Sequence, residues 1–301
     1  MYLAFKGMHN CRKHGHDRIF FITYLGYLLV GSGSFAFHST LKCERVFLAF
    51  QSDGSLTCQL DPMQLVDELS MVYTTCLMFW ATFAHNRSSG VQIALAVGSA
   101  SLALFITLYY HYLQDPTFHQ TAYALLTAVV FFRSVYIMET HLRPKWRRGR
   151  EESERRARGK PNMTQAEEQE QKRRDRRDLK ILKRMWVMIP IGLSIFLGGF
   201  GIWTLDNVHC STLRRWRHEI GLPWGIVLEG HGWWHIMTGI GAYFYIAWGI
   251  WLRHCLNGRQ DEYDLIWPSM WTSVPRVERV APVANGKSVH VNGSLGRKKG
   301  L

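Results

Sequence analysis

The chain has 301 residues, of which 20% are charged, and a formal net charge of +13. These averages are those of a soluble basic protein, but the charges are segregated into residues 1–18, 143–184 and the tail after 253. Between them lie apolar runs of about 20 residues, the length that a helix needs to cross a bilayer. Because the basic residues flank these runs, membrane topology explains the positive charge, and nucleic-acid binding is excluded as a main function.

Six apolar segments predict an all-α, polytopic helical membrane protein, because only helices or closed barrels satisfy their backbone polar groups in lipid. We expect a basic N-terminal segment, 1–18, followed by a transmembrane region, 19–252. Twelve Trp and twelve Tyr are consistent with aromatic belts at two interfaces. In chain order, the segments cover residues 19–40, 63–84, 91–112, 119–138, 185–205 and 224–252.

A highly charged stretch, 142–184, separates the fourth segment from the fifth and has no apolar stripe. We expect a solvated helix or a disordered loop on the cytosolic side, because Lys and Arg are enriched in cytosolic loops. With six spans, the N-terminus and the tail 253–301 are then cytosolic too. The Pro, Gly and Ser residues of the tail predict disorder.

Polar side chains cluster at one end of three segments. From the order of the segments, these three ends lie on the same side of the membrane and at similar depth. Burying such groups without partners would cost several kcal/mol, roughly, so they indicate a functional site. The group comprises Ser34 and His38 in the first segment, Asp67 and Glu68 in the second, and His231 and His235 in the sixth.

The spacing of these residues is typical of a catalytic metal site. His231 and His235 are four residues apart, so their imidazoles lie on one helix face and can bind one ion. His38 would be the third ligand of a zinc ion with one open position for water. Asp67 can orient or deprotonate the attacking water, and Ser34 can hydrogen-bond a developing oxyanion.

Simpler explanations are also consistent with parts of this pattern. A single histidine near an interface commonly faces headgroups or makes an interhelical hydrogen bond. The GSGS stretch at 31–34 can be a packing face between helices. Glu68 and Glu229 fit supporting or interfacial positions better than metal ligation. We expect headgroup contact for His111, His119, His209 and His218.

Three stretches resemble the signature blocks of the alkaline ceramidase family, in its fungal branch: GSGSFAFHSTLK, PMQLVDELSM and LPWGIVLEGHGWWHIMTGIGAYFY. The resemblance covers residues 10–260, approximately, and implies a seven-helix membrane amidase. It implies zinc bound by His38, His231 and His235, with Ser34 and Asp67 assisting. It also implies the substrate, a ceramide or phytoceramide, and a location in the endoplasmic reticulum or Golgi membrane.

Two features depart from the family pattern. Relatives begin with a W-C-E-type calcium-binding stretch and a first transmembrane helix, and this chain resembles them only after that point. We therefore expect a shortened gene model or fragment with little activity and no assignable calcium site. Residues 43–61 form an insertion, either a retained intron or a lumenal loop. The family partner of Cys210 lies in the W-C-E stretch, and Cys43 and Cys58 are the other lumenal candidates.

Two other functions are consistent with the histidine pattern. A non-catalytic lipid-binding receptor of the same superfamily, or an inactive relative, would carry the same histidines around a structural zinc. A proton-coupled transporter would use His and Asp as a relay. The third, fourth and fifth segments have almost no polar residues to continue such a relay, so the sequence favours the hydrolase.

Overall fold

A computed structural model describes residues 1–44, 62–113, 116–159, 163–269 and 273–280, with no described side chain at 37–44, 62–65, 67 and 116. The predicted all-α class is confirmed, with one small antiparallel hairpin in addition. In chain order the elements are α1 (Tyr2–His14), α2 (Arg18–Glu44), α3 (Pro62–Phe83), α4 (Ser89–Leu113), α5 (Pro116–Leu142), α6 (Pro144–Ala157), α7 (Gln165–Val208), α8 (Cys210–Ile220), a 3-10 turn (Trp224–Leu228), α9 (Gly230–Leu256), β1 (Tyr263–Ile266) and β2 (Arg276–Arg279).

Each of the six apolar segments coincides largely with one helix, namely α2, α3, α4, α5, α7 and α9, and the sixth segment also includes the 3-10 turn that precedes α9. In the described part of the chain, four helical stretches are long and apolar enough to cross a membrane: Arg18–Ala36, Ser89–Leu113, Thr117–Leu142 and Gln165–Val208. The protein is therefore a helical membrane protein. Helices α3 and α9, with 22 and 27 residues, are also long enough, but they are not among the four stretches that combine this length with sufficient apolarity. Six membrane spans therefore remain a prediction.

The first of two compact units, Met1–Ile137, is built on close helix contacts. A side chain at Gly7 of α1 would overlap the Tyr24 ring of α2, and one at Gly26 of α2 would lie 2.7 Å from Thr74 Oγ1 of α3. Small residues allow this approach between helix backbones in membranes. A core of α3, α4 and α5 side chains lies beside these contacts, formed by Val72, Cys76, Ile106 and Leu126.

The second unit, Met138–Leu301, is centred on the packing of α7 against α9. A Cβ atom at Gly199 of α7 would lie 2.9 Å from Met237 Cβ of α9. In the opposite direction, one at Gly241 of α9 would lie 3.0 Å from Phe196 Cβ of α7. The two helices therefore exchange side chains into glycine positions, which fixes their separation and register.

The charged stretch 142–184 forms α6 and the first part of α7, and α7 continues without interruption into the fifth apolar segment. Thr164 caps α7: its side chain accepts a hydrogen bond from Glu167 N at 3.4 Å, while Glu167 accepts one from Thr164 N at 2.9 Å. Such a capping box satisfies two backbone donors that a helix start leaves without partners. Of the two expected forms, helix and disordered loop, the structure has the helix.

Two carboxylates of this charged stretch are buried, although the sequence indicates full solvation. Asp175 is ion-paired with Arg147 and Arg148 of α6. Asp178 contacts Arg147 Nε at 3.5 Å and Arg177 Nε at 3.0 Å. These pairs join α6 to α7, since a buried charge is tolerated only when it is paired and hydrogen-bonded.

The expectation of a disordered tail, 253–301, is wrong for the part that the structure describes. Helix α9 ends at Leu256, and β1 and β2 then pair antiparallel. Side chains alternate in burial along β1, so that Tyr263 and Leu265 are buried, and Val277 of β2 joins them. Alternate side chains of a strand point to the same face, so a few apolar residues are enough to bury one face of the hairpin, and the overall composition of the tail does not indicate this. Residues 281–301 lie outside the described part.

Contacts with polar partners hold the hairpin to the end of α9. The His254 ring stacks on the Tyr263 ring with centroids 3.5 Å apart. Arg259 donates hydrogen bonds to the Glu262 carboxylate at 2.8 Å and to the Tyr263 hydroxyl at 3.2 Å. The hydrogen bond from Arg259 lowers the pKa of the Glu262 carboxyl group below its usual value. These contacts continue the fold beyond α9.

The buried ion pairs generate the first testable prediction. Changing Asp175 to Asn leaves Arg147 without its main partner, and we expect the free energy of unfolding to fall by roughly 3 kcal/mol. The matched control is Glu170→Gln on the same helix, because Glu170 and Arg174 form an exposed pair at 3.4 Å. Such pairs contribute about 0.5 kcal/mol or less. Thermal unfolding in detergent would measure both, and equal effects would contradict the structural role of Asp175.

Candidate active site

The two histidines predicted to share a helix face do so in the first turns of α9. The ring centroids of His231 and His235 are 4.7 Å apart, and the ring planes are inclined at 64°. Both residues are half-buried. Two imidazoles at this separation on one face can direct one nitrogen each at a single ion.

The position of this pair depends on close backbone packing at the start of α9. A Cβ atom at Gly230 would lie 2.7 Å from Asp206 Cβ and 3.2 Å from the Ile202 carbonyl oxygen of α7. On the other side of His231, a Cβ atom at Gly232 would meet nothing closer than Glu229 Cβ at 3.9 Å. Contact with α7 therefore fixes where His231 lies, and Gly230 makes that contact possible.

Acidic groups surround His231, and one of them is not apparent as a site residue from the sequence. The carboxylates of Asp206 and Glu229 both act electrostatically on His231. Arg217 of α8 is ion-paired with Glu229, and its Nη2 lies 3.9 Å from Asp206 Oδ1. Within the described part of the chain, that buried oxygen accepts no hydrogen bond. A carboxylate beside a metal-binding histidine commonly orients the ring, and Asp206 is suited to that position.

The sequence does carry a signal for Asp206. It is an acidic residue at the end of an apolar helix, and such residues are rare in membrane segments unless they have a function. Asp206 precedes His231 by 25 positions in the chain. Their proximity is therefore apparent only from the packing of α7 on α9.

The remaining predicted site residues belong to the first unit. Ser34 is buried in α2, and His38 follows it by four positions in the same helix, while Asp67 lies in the second turn of α3. The side chains of His38 and Asp67 lie outside the described residues, so their approach to the histidine pair remains a prediction. Gly31 packs against Met1, where a Cβ atom would lie 3.5 Å from the main-chain nitrogen, so part of 31–34 is also a packing face.

The described side chains do not by themselves complete a metal site. Within them, no group of three or more His, Cys, Asp or Glu residues is arranged to hold an ion. The pair in α9 supplies two ligands, and the predicted third, His38, lies outside the search. Cys210 is an exposed free thiol, while Cys43 and Cys58 lie outside the described side chains, so the disulfide alternatives also remain predictions.

Glu68, next to Asp67, takes part in a contact between three helices. It accepts a hydrogen bond from the Tyr110 hydroxyl of α4, and His119 Nδ1 of α5 lies 3.8 Å from its carboxylate. His119 is only 2% exposed, so the expectation that it faces headgroups is wrong. Its ring turns inward because Glu68 and the Tyr110 ring, at 4.9 Å, offer partners there. Headgroup contact is also expected for His111, His209 and His218, and these three residues are exposed.

Comparisons with known proteins identify the family. The sequence profile of the ceramidase family matches residues 1–278. The chain belongs to the ceramidase family. It resembles alkaline ceramidase 3 of Mus musculus, with 28% identity over 238 residues that cover 79% of this chain and 67% of the relative. It also resembles alkaline ceramidase YPC1 of Saccharomyces cerevisiae, with 27% identity over 284 residues, which are 88% and 71% of the two chains.

The expected family is thereby confirmed, and it decides between the function classes that the sequence leaves open. The protein is a membrane-bound hydrolase that acts on ceramide, as its family does.

The glycines that flank His231 provide the second prediction. Gly230→Ala would force α9 away from α7 and displace His231, and we expect ceramide hydrolysis to fall about tenfold or more, because small misplacements of reacting groups are costly. Gly232→Ala adds the same methyl group into open space and should keep activity within about twofold, with a slightly more stable helix. Hydrolysis rates of the purified variants in detergent would measure this. Equal loss in both variants would show that packing at Gly230 does not position the site.

Proposed function

We propose that the protein is a zinc-dependent amidohydrolase that cleaves ceramide or phytoceramide into a sphingoid base and a fatty acid. The observation that supports it most directly is the pair of half-buried imidazoles, 4.7 Å apart, at the start of α9. Membership of the ceramidase family supports the substrate class. The resemblance of its motifs to alkaline ceramidases also favours the endoplasmic reticulum or Golgi membrane as its location.

The proposed metal ligands are His38, His231 and His235. The described part of this site fits a zinc ion: two imidazoles share a face, and Asp206 beside His231 has an oxygen that accepts no hydrogen bond from the described residues and is suited to orienting a ligand ring. A bound zinc ion would polarise the amide carbonyl group and lower the pKa of the attacking water toward about 7.

Asp67 is proposed as the general base. It accepts the proton of the attacking water and then delivers it to the nitrogen of the leaving amine, so that the sphingoid base departs as a neutral amine. Its neighbour Glu68 is already hydrogen-bonded to Tyr110 and contacts His119. Because these contacts hold the Glu68 carboxylate, Asp67 is the better candidate for the general base.

Ser34 is proposed to donate a hydrogen bond to the amide oxygen as negative charge develops on it. A donor that is already in place costs no reorganisation at that moment, which is why such groups are effective in buried sites. Ser34 lies in a buried position of α2, four residues before His38. A site within the helices also suits ceramide, because the substrate then does not have to leave the bilayer.

The metal assignment predicts about one zinc ion per purified chain, which is the expected content of a single site with three histidine ligands. His231→Ala and His235→Ala should each lose the ion and with it the hydrolytic activity. His218→Ala, at an exposed position of α8, is the matched control and should retain both. Stoichiometric zinc in the His231→Ala, His235→Ala double variant would contradict the assignment.

The base assignment predicts different effects for two neighbouring carboxylates. Asp67→Asn should lower the rate of ceramide hydrolysis by about a hundredfold or more while zinc stays bound, because the amide cannot accept the proton. Glu68→Gln should be milder, since its amide oxygen can still accept the hydrogen bond from Tyr110. Zinc analysis and rate measurements on the same preparations would test both. The reverse order of damage would identify Glu68 as the base instead.

A further inference from the structure

Three helices of the first unit meet at Glu68. Its carboxylate accepts a hydrogen bond from the Tyr110 hydroxyl group of α4. Its main-chain carbonyl oxygen lies 3.3 Å from His119 Nε2 of α5, and the Tyr110 and His119 rings stack at 4.9 Å. Tyr110 and His119 are 1% and 2% exposed, so neither side chain is available to headgroups or solvent.

Glu68 is thus held at two separate points, its side chain and its backbone. A carbonyl oxygen only accepts hydrogen bonds, so His119 Nε2 is the donor in this contact. The bond from Tyr110 fixes the direction of the Glu68 side chain around the axis of α3. The bond from His119 fixes the height of the same residue along that axis.

This double anchor also fixes the α3 backbone at the preceding position, residue 67. Neighbouring residues in a helix project about 100° apart with a rise of about 1.5 Å, so the rotation and height fixed at Glu68 are transferred to Asp67. Asp67 lies in the second turn of α3, one position before the anchored residue.

We propose that Glu68, Tyr110 and His119 form a positioning network that aims Asp67 at the reacting centre. This inference rests on the proposed function, in which Asp67 is the general base, and it adds three residues that act through Asp67 without touching the substrate. None of the three residues is a proposed zinc ligand or substrate contact. The network therefore affects the rate of proton transfer and leaves zinc binding and ceramide affinity unchanged.

A second hydrogen bond between the same helices separates positioning from simple stabilisation. The hydroxyl groups of Tyr73 in α3 and Thr107 in α4 are 2.8 Å apart. Tyr73 is six positions beyond Asp67, 73 minus 67, or about 1.7 turns farther along α3. Removing either tyrosine hydroxyl therefore costs one α3–α4 hydrogen bond, but only Tyr110 holds the turn that carries Asp67.

The experiment compares Tyr110→Phe with Tyr73→Phe in the full chain, purified in detergent. Each variant keeps its ring and loses one hydroxyl group. We expect Tyr110→Phe to lower kcat for ceramide about tenfold with KM within about twofold, which is the signature of an interaction lost in the transition state only. Tyr73→Phe should keep kcat within about twofold, and the two variants should show similar decreases in melting temperature.

Two changes at His119 provide an independent test in case Tyr110→Phe affects folding. His119→Gln keeps an N–H donor that can reach the Glu68 carbonyl oxygen, whereas His119→Leu removes it at similar volume. We expect His119→Leu to lose about as much kcat as Tyr110→Phe and His119→Gln to regain most of that loss. Zinc content should stay the same in both, because neither side chain is a proposed ligand.

Equal kcat values for Tyr110→Phe and Tyr73→Phe would overturn the inference, as would a loss at His119 that Gln does not rescue. The variant Asp67→Asn separates this failure from failure of the proposed function. If Asp67→Asn is nearly inactive while the two tyrosine variants are alike, only the positioning network is wrong. If Asp67→Asn retains near-full kcat, the proposed base itself is wrong, and the network has no group to position.

Discussion

Polar side chains in the interior of a membrane helix bundle have no water to hydrate them, so each must find a partner in the protein or a ligand. Glu68 meets this requirement with Tyr110 and His119. Asp175, which is buried in the charged stretch outside the apolar segments, is partnered in a similar way by Arg147 and Arg148. Groups that are fully partnered in this way join helices, and the remaining polar groups are the ones available for chemistry.

The histidine pair of α9 and the carboxylate of Asp206 are the polar groups that the packing of α7 on α9 brings together. Both histidines are half-buried, and one Asp206 oxygen accepts no hydrogen bond from the described residues. A bound ion would use one nitrogen lone pair of each histidine. The other ring nitrogen would then carry a proton and could donate a hydrogen bond to a carboxylate. Two imidazoles on one helix face with a carboxylate beside them are the groups that the proposed metal site would use.

Close backbone contacts give these groups their positions. Gly199 and Gly241 admit side chains from the facing helix, and Gly230 brings the first turn of α9 against α7. Contacts between backbones are less adaptable than contacts between long side chains, so they hold a helix start in one place. In the first unit, the anchor at Glu68 serves the same purpose with hydrogen bonds. Each unit thus positions its own polar residues by local means.

The sequence by itself determined the helical class. Apolar segments of about 20 residues can satisfy their backbone polar groups within a bilayer only as helices or closed barrels, and their length is that of a helix. It also determined that His231 and His235 share a face, since the four-residue spacing is a property of any helix. The family followed from short motifs around these residues.

Only the tertiary structure decided which polar residues are buried. His119 has the sequence context of an interfacial residue, yet its partner Glu68 is 51 positions away, and Asp206 approaches His231 through the packing of α7 on α9. The β1–β2 hairpin likewise depends on its fit to α9, not on its own few apolar residues. Burial of a polar side chain is decided by partners that are distant in the chain, and local composition carries no information about them.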